Sequence, residues 1–573
     1  MKVIITISII FLTLFSCTDL NLNPLSQGSS DNWYSNETEI SMSINDLYSI
    51  DFWDRDSDSW TDDWMNRTST TEITNATING QFSAGSEMWN SAYTCIARAN
   101  TILDNLPKVA ETLPSALINL YEANARFVRA SKYAQLISHW GDVVFYTSAL
   151  NIEESFALGR TDKEIILESI YEDYDYAAEF LPVQYENSEN EWATKGAALG
   201  MKARIALYMG DFDIASDAAK ACIDLEAYTL YPDFGELFQS STRNANESIF
   251  NLSRSAELGE FINDWGATQN DYSGLGTKFY ITRNAGGSTS KNPTWDLFCS
   301  FLCTDGLPID ESPLFNSREP FKNRDPRCSE TIVEFQTEHL GYMFQPHPDS
   351  VTCYSFKSGT YVQNNDTRTV AQFTSYNGMV WKKGIDEDWA DDYVTDPDYI
   401  ILRYADVLLM YAEAKIELNE IDDSVINAIN TVRARAYGVD VSETTSYPAV
   451  EIQSQAELRR IVRTERRMEF ALEGLRYMDL IRWRLAEKTL NLPNYGMLDV
   501  IDLKANVVDK DLWFFPATPE VDEDGVTDFE PLFQAGFVRV LNQKTFDASR
   551  QYLWPIPSKE ILINENIVQN PGY

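Results

Sequence analysis

An early segment of the chain combines aromatic rings with carboxylates and an arginine. Residues 51–67 read Asp-Phe-Trp-Asp-Arg-Asp-Ser-Asp-Ser-Trp-Thr-Asp-Asp-Trp-Met-Asn-Arg, without helical periodicity. Sugar rings have flat apolar faces edged by hydroxyls, so aromatic planes beside short polar groups suit a glycan. We predict a binding loop with Trp64 as a stacking plane, joined by Trp265 from the middle of the chain, with Trp60 as a further glycan contact and Asp56, Asp63 and Arg67 as hydroxyl partners. Simple core packing is the alternative for each ring, because large aromatic residues are usually mostly buried.

The same segment has only part of a calcium-binding pattern. Asp54, Asp56 and Asp58 alternate as at the start of a calcium loop, but Ser59 replaces the turn glycine and Met65 replaces the bidentate glutamate. We therefore predict a solvated acidic loop with no metal or other cofactor, and calcium remains the alternative.

An enzyme of the glycoside hydrolase class is the main rival to a binding protein. The chain has 87 Asp and Glu residues, and such an enzyme needs one carboxylate pair. There is no phosphate loop, HExxH or G-x-S-x-G motif, and there are three histidines, of which His139 lies at a predicted helix end and is interpreted as structural. No catalytic residue is predicted.

The charge of the chain limits its partners. The 573 residues include 46 Lys and Arg against 87 Asp and Glu, which gives a formal net charge of −41 and a pI near 4.4. Nucleic acid and anionic lipid surfaces would be repelled by this charge. A neutral or weakly charged partner is expected.

The first residues predict export and lipid attachment. Lys2 precedes an apolar run over residues 3–15, which is too short to span a bilayer but suits a signal peptide. Leu-Phe-Ser-Cys at 14–17 is typical of a lipobox, so we predict a signal peptide over 1–16, lipidation of Cys17 and a flexible tether over 17–31. An ordinary signal peptide is the alternative. The six other cysteines are expected to be buried thiols or to form one or two bridges.

Apolar residues at spacings of three and four predict a mainly α fold. Two predicted helices end in short turns, at 207–211 and 418–420, and lead into further Ala-rich helices. This pattern is typical of tetratricopeptide-like hairpins, with an ordinary helical bundle as the alternative. The four apolar stripes are Ala123/Phe127/Ala130/Ala134/Ile137, Ala198/Met201/Ile205/Tyr208, Leu402/Ala405/Leu409/Ala412/Ile416 and Met468/Leu472/Leu475/Met478/Ile481.

The middle of the chain loses this periodicity. Residues 274–287 and 364–378 are predicted as loops, and 331–335 as a short strand. We therefore divide the chain into a helical scaffold over 32–254, which includes the early loop, a loop-rich, short-strand ligand-binding subdomain over 255–395, and a second helical scaffold over 396–573. Loops held on a rigid frame are common binding sites.

Several motifs occur in an order that indicates a known family. The most specific are Glu-Arg-Arg-Met-Glu-Phe at 465–470, followed by Glu473-Gly474, and the closing Gln-Asn-Pro-Gly-Tyr at 569–573. Further matching stretches lie at 89–93, 122–130, 203–208, 325–327 and 402–409. With these blocks the chain resembles the SusD-like (RagB/SusD) nutrient-uptake outer-membrane lipoproteins of Bacteroidetes, nearly from end to end.

The resemblance implies a role in nutrient uptake without catalysis. It implies a surface-exposed, lipid-anchored outer-membrane protein that passes a polysaccharide or oligosaccharide to a SusC-like TonB-dependent transporter. It also points by region to aromatic residues of the middle segment as glycan contacts. These residues are Trp265, Tyr272, Tyr280 and Trp295. The acidity suggests a marine glycan, such as a neutral β-glucan like laminarin. A protein-interaction scaffold is the third class, since tetratricopeptide stacks often grip peptides.

Overall fold

Helical hairpins build one side of the protein. The computed structural model describes residues 33–53, 56–185, 192–253, 277–385 and 397–573. The helices of these residues are α1 (Glu37–Leu47), α2 (Ser83–Asn105), α3 (Ser115–Trp140), α4 (Ile152–Ala157), α5 (Lys163–Phe180), α6 (Lys195–Met209), α7 (Phe212–Ile223), α8 (Trp295–Ser300), α9 (Arg327–Thr331), α10 (Tyr404–Glu417), α11 (Asp423–Ala436), α12 (Gln455–Phe470), α13 (Arg476–Arg482), α14 (Ala486–Thr489), α15 (Val500–Asn506), α16 (Glu530–Gln534) and α17 (Ser558–Ile563).

The long helices stack in a continuous row. α3 packs against α2 and α5, α6 against α5 and α7, and α10 against α7, α11 and α12. The α6–α7 turn uses Gly210 at φ +84°, whose N–H bonds the carbonyls of Ala206 and Leu207. Inside α6, a Cβ on Gly200 would lie 2.4 Å from Leu402 Cδ2, so the helix approaches its neighbour closely there. The predicted tetratricopeptide-like hairpins and mainly α fold are confirmed.

Short strands hold the loop-rich part together. The strands are β1 (Trp64–Asn66), β2 (Val143–Val144), β3 (Arg160–Thr161), β4 (Ser248–Leu252), β5 (Lys291–Pro293), β6 (Glu338–His339), β7 (Tyr342–Met343), β8 (Thr352–Ser355), β9 (Thr360–Gln363), β10 (Tyr399–Arg403), β11 (Asn494–Met497), β12 (Glu520–Val521), β13 (Thr527–Asp528) and β14 (Val538–Asn542). Their pairs are antiparallel: β1 with β5, β2 with β3, β4 with β10, β11 with β14, β12 with β13, and β6 to β9 as a four-stranded meander.

Two large apolar cores lie behind these elements. One fills the helical stack, and the other joins Trp295, Phe298 and Trp381 of the loop-rich part to Met468 and Phe515. The second core therefore combines the middle of the chain with the C-terminal part. The segment boundaries at 254 and 395 stay a prediction.

A buried ionic network runs along α12. Glu469 accepts hydrogen bonds from Arg403 at 2.6 Å, from Arg327 at 2.9 Å and from Arg435. Burial alone would raise the pKa of Glu469, but the three guanidinium groups hold it well below its usual range. Glu465 pairs with Arg433 at 2.8 Å. One face of α12 thus ties α9, β10 and α11 together.

The arginines of α12 continue this network in other directions. Arg466 pairs with Asp406 of α10 at 2.7 Å and with Asp479 of α13 at 3.0 Å. Arg467 reaches Asp63 at 2.7 Å and Asp296 of α8 at 2.6 Å. The early loop, the middle segment and the C-terminal helices are therefore fixed to one helix.

The predicted stripe from Met468 to Ile481 is not one helix. α12 ends at Phe470, because Ala471 at ψ 132° leaves the helical conformation. Leu472 at φ +65° and Gly474 at φ +75° then turn the chain, and α13 starts at Arg476. The charged residues of this segment consequently point to different partners: Asp479 pairs with Arg482 at 2.8 Å, whereas Glu473 pairs with Arg403.

Two other predicted element positions are wrong. Leu402 lies in β10, and α10 begins at Tyr404. The strand predicted for 331–335 is instead the end of α9 followed by a single bridge from Ile332 to Trp381. Alternating apolar residues near a short loop did not distinguish a strand from one turn of helix.

The six cysteines other than Cys17 are buried thiols, which agrees with the first of the two expectations rather than with disulfide bridges. They are Cys95, Cys222, Cys299, Cys303, Cys328 and Cys353. Burial raises the pKa of Cys222 and Cys328 to about 12 each, so these thiols stay protonated. Within the described ranges, no helix has the length and apolar character needed to cross a membrane.

Replacing Glu469 with glutamine should test the network. Glu469→Gln keeps the side-chain shape but leaves Arg327, Arg403 and Arg435 without their shared charge, so the free energy of unfolding should fall by about 3–5 kcal/mol. Urea denaturation followed by circular dichroism measures it. The control is Glu457→Gln on the same helix, where the pair with Arg460 is about one-third exposed and should contribute under about 1 kcal/mol. Equal losses in both variants would contradict the assignment.

Candidate functional site

The early-loop tryptophans are core residues. Trp60 is 7% exposed, and its ring centroid lies 5.1 Å from that of Trp554 and 5.5 Å from that of Tyr477. Trp64 on β1 is 6% exposed and belongs to the second core. A sugar cannot stack on a ring that the protein itself covers on both sides. The expectation that these two rings are exposed is wrong.

Trp295 is buried in the same way. It is 3% exposed, its indole N–H donates to the carbonyl of Asn377 at 2.7 Å, and its ring lies 5.1 Å from that of Phe515. Its role in this structure is to begin α8 and fill the core. The prediction of Trp295 as an accessible glycan contact is contradicted by this burial.

The acidic side chains of the early loop are occupied by cations of the scaffold. Asp63 is 1% exposed and pairs with Arg467. Asp56 accepts from Nε2 of His139 at 2.8 Å. Burial opposes a charge on His139, but the carboxylate of Asp56 raises the pKa of His139 above its usual value. Neither carboxylate faces solvent, so their predicted role as hydroxyl partners is wrong in this structure.

Three predicted residues, Cys17, Trp265 and Tyr272, lie outside the described residues, as does Asp54 of the calcium pattern. Asp58, the third member of that pattern, is buried and accepts from the N–H of Gly474 at 3.2 Å. Among the described residues, no group of three or more potential metal ligands occurs.

Arg67 and Tyr280 lie on the two sides of the β1–β5 ribbon. Asn66 pairs with Lys291 in the ribbon, and side chains of successive residues alternate between its sides. The ammonium of Lys291 lies 5.1 Å from the ring centroid of Tyr280 and 5.1 Å from that of Phe279. Arg67, the next residue after β1, points to the opposite side. The structure therefore keeps two of the predicted residues near the surface but does not bring them into one cluster.

Three guanidinium groups surround the ring of Tyr376 on the side that Arg67 faces. Their Cζ atoms lie 5.6 Å (Arg67), 4.5 Å (Arg368) and 5.3 Å (Arg539) from the ring centroid, within cation–π range. We call these four residues the Tyr376 cluster. Phe373 lies at its edge, 54% exposed, with its ring centroid 5.8 Å from Arg67. The cluster thus offers an open aromatic plane beside planar donors.

Backbone contacts position the cluster. Arg67 donates from Nε to the carbonyl of Thr374 at 2.9 Å and from Nη2 to the carbonyls of Phe373, at 3.1 Å, and Ser288. The carbonyl of Tyr376 accepts from Met497 at the end of β11 at 3.0 Å. The loop that carries both rings is therefore fastened to β1 on one side and to β11 on the other.

The electrostatics of the cluster differ from those of the α12 network. Burial and nearby Arg283 lower the pKa of Arg67, and burial and the charge of Arg368 lower the pKa of Arg539. In the α12 network, burial also disfavours the charged guanidinium groups, but the neighbouring carboxylates outweigh it and hold the pKa of Arg403 and Arg466 well above the usual value. In the described ranges, the arginines of the cluster pair with one carboxylate, Asp499, which lies 2.6 Å from Arg368 and 2.7 Å from Arg539. It carries an excess of positive charge.

Comparison with known proteins decides the family. The model of the SusD family matches residues 246–573, and a second SusD-like model, described as starch-binding associating with outer membrane, matches residues 31–207. The chain belongs to the SusD family. Carbohydrate binding and outer-membrane association are supported for it at the family level.

Individual SusD family members are similar over their whole length. SusD-like protein P2 of Formosa agariphila is 25% identical over 596 aligned positions, which cover 99% of each protein. A SusD-like carbohydrate-binding protein of Bacteroides fragilis superposes with a TM-score of 0.74 at 24% identity, over 93% of this chain and 99% of that one. A laminarin-binding SusD-like protein superposes with a TM-score of 0.64 at 20% identity, over 94% and 100%. These two structures confirm the fold.

Most of the Tyr376 cluster of this SusD family protein was not predicted. Phe373 and Tyr376 lie in the predicted loop 364–378, but no motif marks them, and Arg368 and Arg539 had no distinguishing neighbours. The one available signal was compositional, since aromatic residues and arginine recur in a loop of an otherwise acidic chain.

Three cavities lie in other parts of the described structure. A groove of about 760 Å³ lies between α2 and α17, and a pocket of about 450 Å³ lies beside β4. A third, of about 600 Å³, is lined by six carboxylates, including Asp296, Asp310 and Glu530. None of them contains a side chain from the predicted contacts that is open to solvent. The Tyr376 cluster is the candidate site.

Changing Asp56 should separate a structural role from a binding role. In Asp56→Asn the carboxylate no longer favours the imidazolium, so burial should bring the pKa of His139 below its ordinary value of about 6.5. Histidine NMR titration measures it, with His139→Gln to assign the signal. Glycan affinity should stay unchanged. An unaltered pKa, or lost glycan binding in a folded variant, would contradict the structural role.

Proposed function

We propose that this SusD family protein is a surface lipoprotein that captures a glycan and delivers it to a SusC-like TonB-dependent transporter. The observation that supports capture most directly is the exposed ring of Phe373 beside the guanidinium of Arg67. An aromatic plane accepts the apolar face of a sugar, and a guanidinium donates to its oxygens. Carbohydrate binding by the family and by the Bacteroides fragilis structure agrees with this role.

The proposed role is binding without catalysis. The early-loop carboxylates Asp56, Asp62 and Asp63, which a hydrolase interpretation would use, are held in buried pairs with His139, Arg476 and Arg467. A glycosidase needs an acid and a base that reach the scissile bond from two sides. Relatives named as carbohydrate-binding proteins also agree with a non-enzyme.

The anchor and the transporter complete the proposal. Cys17, in its lipobox, would carry the acyl chains, and the helical stack would face the transporter. Palmitate labelling that persists in Cys17→Ala would contradict the anchor. If no SusC-like transporter co-purifies with the protein from the outer membrane of its native cells, the partnership is contradicted.

Titration against a glycan panel tests capture and catalysis together. We use residues 18–573, which keep every described element, in isothermal titration followed by chromatography of the glycan. Binding with no shortened product is expected. Release of shorter sugars would favour the hydrolase, and no binding to any glycan would remove the proposal.

Phe373→Ala should weaken the capture of the glycan that the panel identifies. Loss of a stacking plane should reduce binding by about 1–3 kcal/mol, taking base stacking on aromatic side chains as the guide. Phe356→Ala is the matched control, since Phe356 is 43% exposed in the turn between β8 and β9, away from the cluster. Thermal unfolding should be unchanged in both. Equal affinity for the wild type and Phe373→Ala would exclude this ring as a contact.

A further inference from the structure

The arginines of the Tyr376 cluster lack the carboxylates that arginines elsewhere in the protein have. In the α12 network, Arg327, Arg403 and Arg466 each contact at least two carboxylates. Among the described residues, Asp499 is the one carboxylate paired with Arg368 and Arg539, and the hydrogen bonds of the Arg67 side chain go to neutral backbone carbonyls.

The cluster also has unused hydrogen-bond donors. Nε of Arg368 and Nε of Arg539 are buried and make no hydrogen bond within the part of the chain that the structure describes. Nη1 of Arg67 has none among the described residues either. An arginine donates through a planar fork, which matches the paired oxygens of a carboxylate or a sulfate ester. Buried polar groups without partners are uncommon in native proteins and invite a ligand that supplies the acceptor.

Asp499 is a weak competitor for such a ligand. Its side chain is 63% exposed, and it bridges Arg368 and Arg539 from the solvent side. Because its carboxylate already faces water, an incoming anion that takes over both arginines would release Asp499 to solvent at small cost. Arg67 would keep its hydrogen bonds to backbone carbonyls meanwhile.

The net charge of −41 does not forbid an anionic ligand here. At physiological ionic strength, interactions between exposed charges are screened beyond about 8 Å, so a ligand at Tyr376 interacts mainly with the local groups. These groups include Arg67, Arg283, Arg368 and Arg539 as well as Asp499 and Asp366. Asp366 is buried, and burial raises its pKa to about 6.

We infer that the Tyr376 cluster binds the acidic group of an anionic glycan, a carboxylate of a uronic acid or a sulfate ester, while the sugar ring rests on Phe373. This inference rests on the proposed function and replaces the neutral β-glucan suggested by composition. The acidic group lies between the guanidinium groups of Arg67, Arg368 and Arg539 and takes the place of Asp499.

Matched pairs of polysaccharides test the charge requirement. Residues 18–573 are titrated with polygalacturonate and its carboxyl-reduced form, and with dextran sulfate and dextran. Preference for the acidic member of either pair supports the inference, and the pair that binds tells uronate from sulfate. Equal or tighter binding of the neutral members would overturn it but leave glycan capture intact. Binding to none of these and to no glycan of the wider panel would overturn both.

Variants with opposite expected effects locate the interaction. Arg539→Gln and Arg67→Gln should each weaken binding of the acidic polysaccharide on the order of ten- to hundredfold, as for a lost charged hydrogen bond. Asp499→Asn should tighten it several-fold, an effect that misfolding cannot imitate. Arg484→Gln, which removes an exposed guanidinium 3.4 Å from the ring of Tyr552, is the control and should change nothing.

Salt dependence provides the last criterion. Raising NaCl from about 50 to 500 mM should weaken wild-type binding about tenfold or more, and Arg539→Gln should reduce this dependence. Affinity that is independent of salt, or Asp499→Asn binding no more tightly than the wild type, would overturn the inference.

Discussion

The buried charges of α12 are the constraint on which the rest of the structure depends. Removing an ion pair from water is unfavourable unless each charge is matched and hydrogen-bonded, so every arginine of this network needs its carboxylates in place. Those carboxylates come from distant parts of the chain: Asp63 from the early loop, Asp296 from the middle and Asp406 from α10. The network therefore fixes the loop-rich part onto the helical stack, which apolar contacts alone could do with less geometric precision.

This constraint explains why the early loop does not provide the binding surface. Asp63 cannot turn outward without leaving Arg467 unpaired, and Trp60 and Trp64 are drawn inward with it. The first residue beyond the ribbon, Arg67, is not part of the network, since its side-chain hydrogen bonds within the described ranges go to backbone carbonyls. The boundary between scaffold and binding surface thus falls within four residues, between Asp63 and Arg67.

Local patterns predicted the helical stack but not the site. Spacings of three and four report which face of a helix is buried, so α3, α6 and the hairpin turns followed directly from the sequence. A tryptophan beside an aspartate gives no such information, because its exposure depends on partners far along the chain. Arg467 is 404 positions from Asp63. The break at Leu472 escaped prediction because a left-handed leucine leaves no trace in hydrophobic periodicity.

The arginines of the α12 network and those of the Tyr376 cluster have opposite roles, although the side chain is the same. In the α12 network the acids are built in, the charges cancel and the result is rigidity. Around Tyr376 the protein supplies an aromatic ring and carbonyl groups but leaves the positive charges of the arginines largely uncompensated. This arrangement is tolerated because the arginine side chains remain partly in contact with water. Such a surface is less stable than a fully paired one, and the deficit disappears when an anion arrives. The net charge calculated from the composition adds both groups together. It is therefore informative about solubility but not about which ligand a local site prefers.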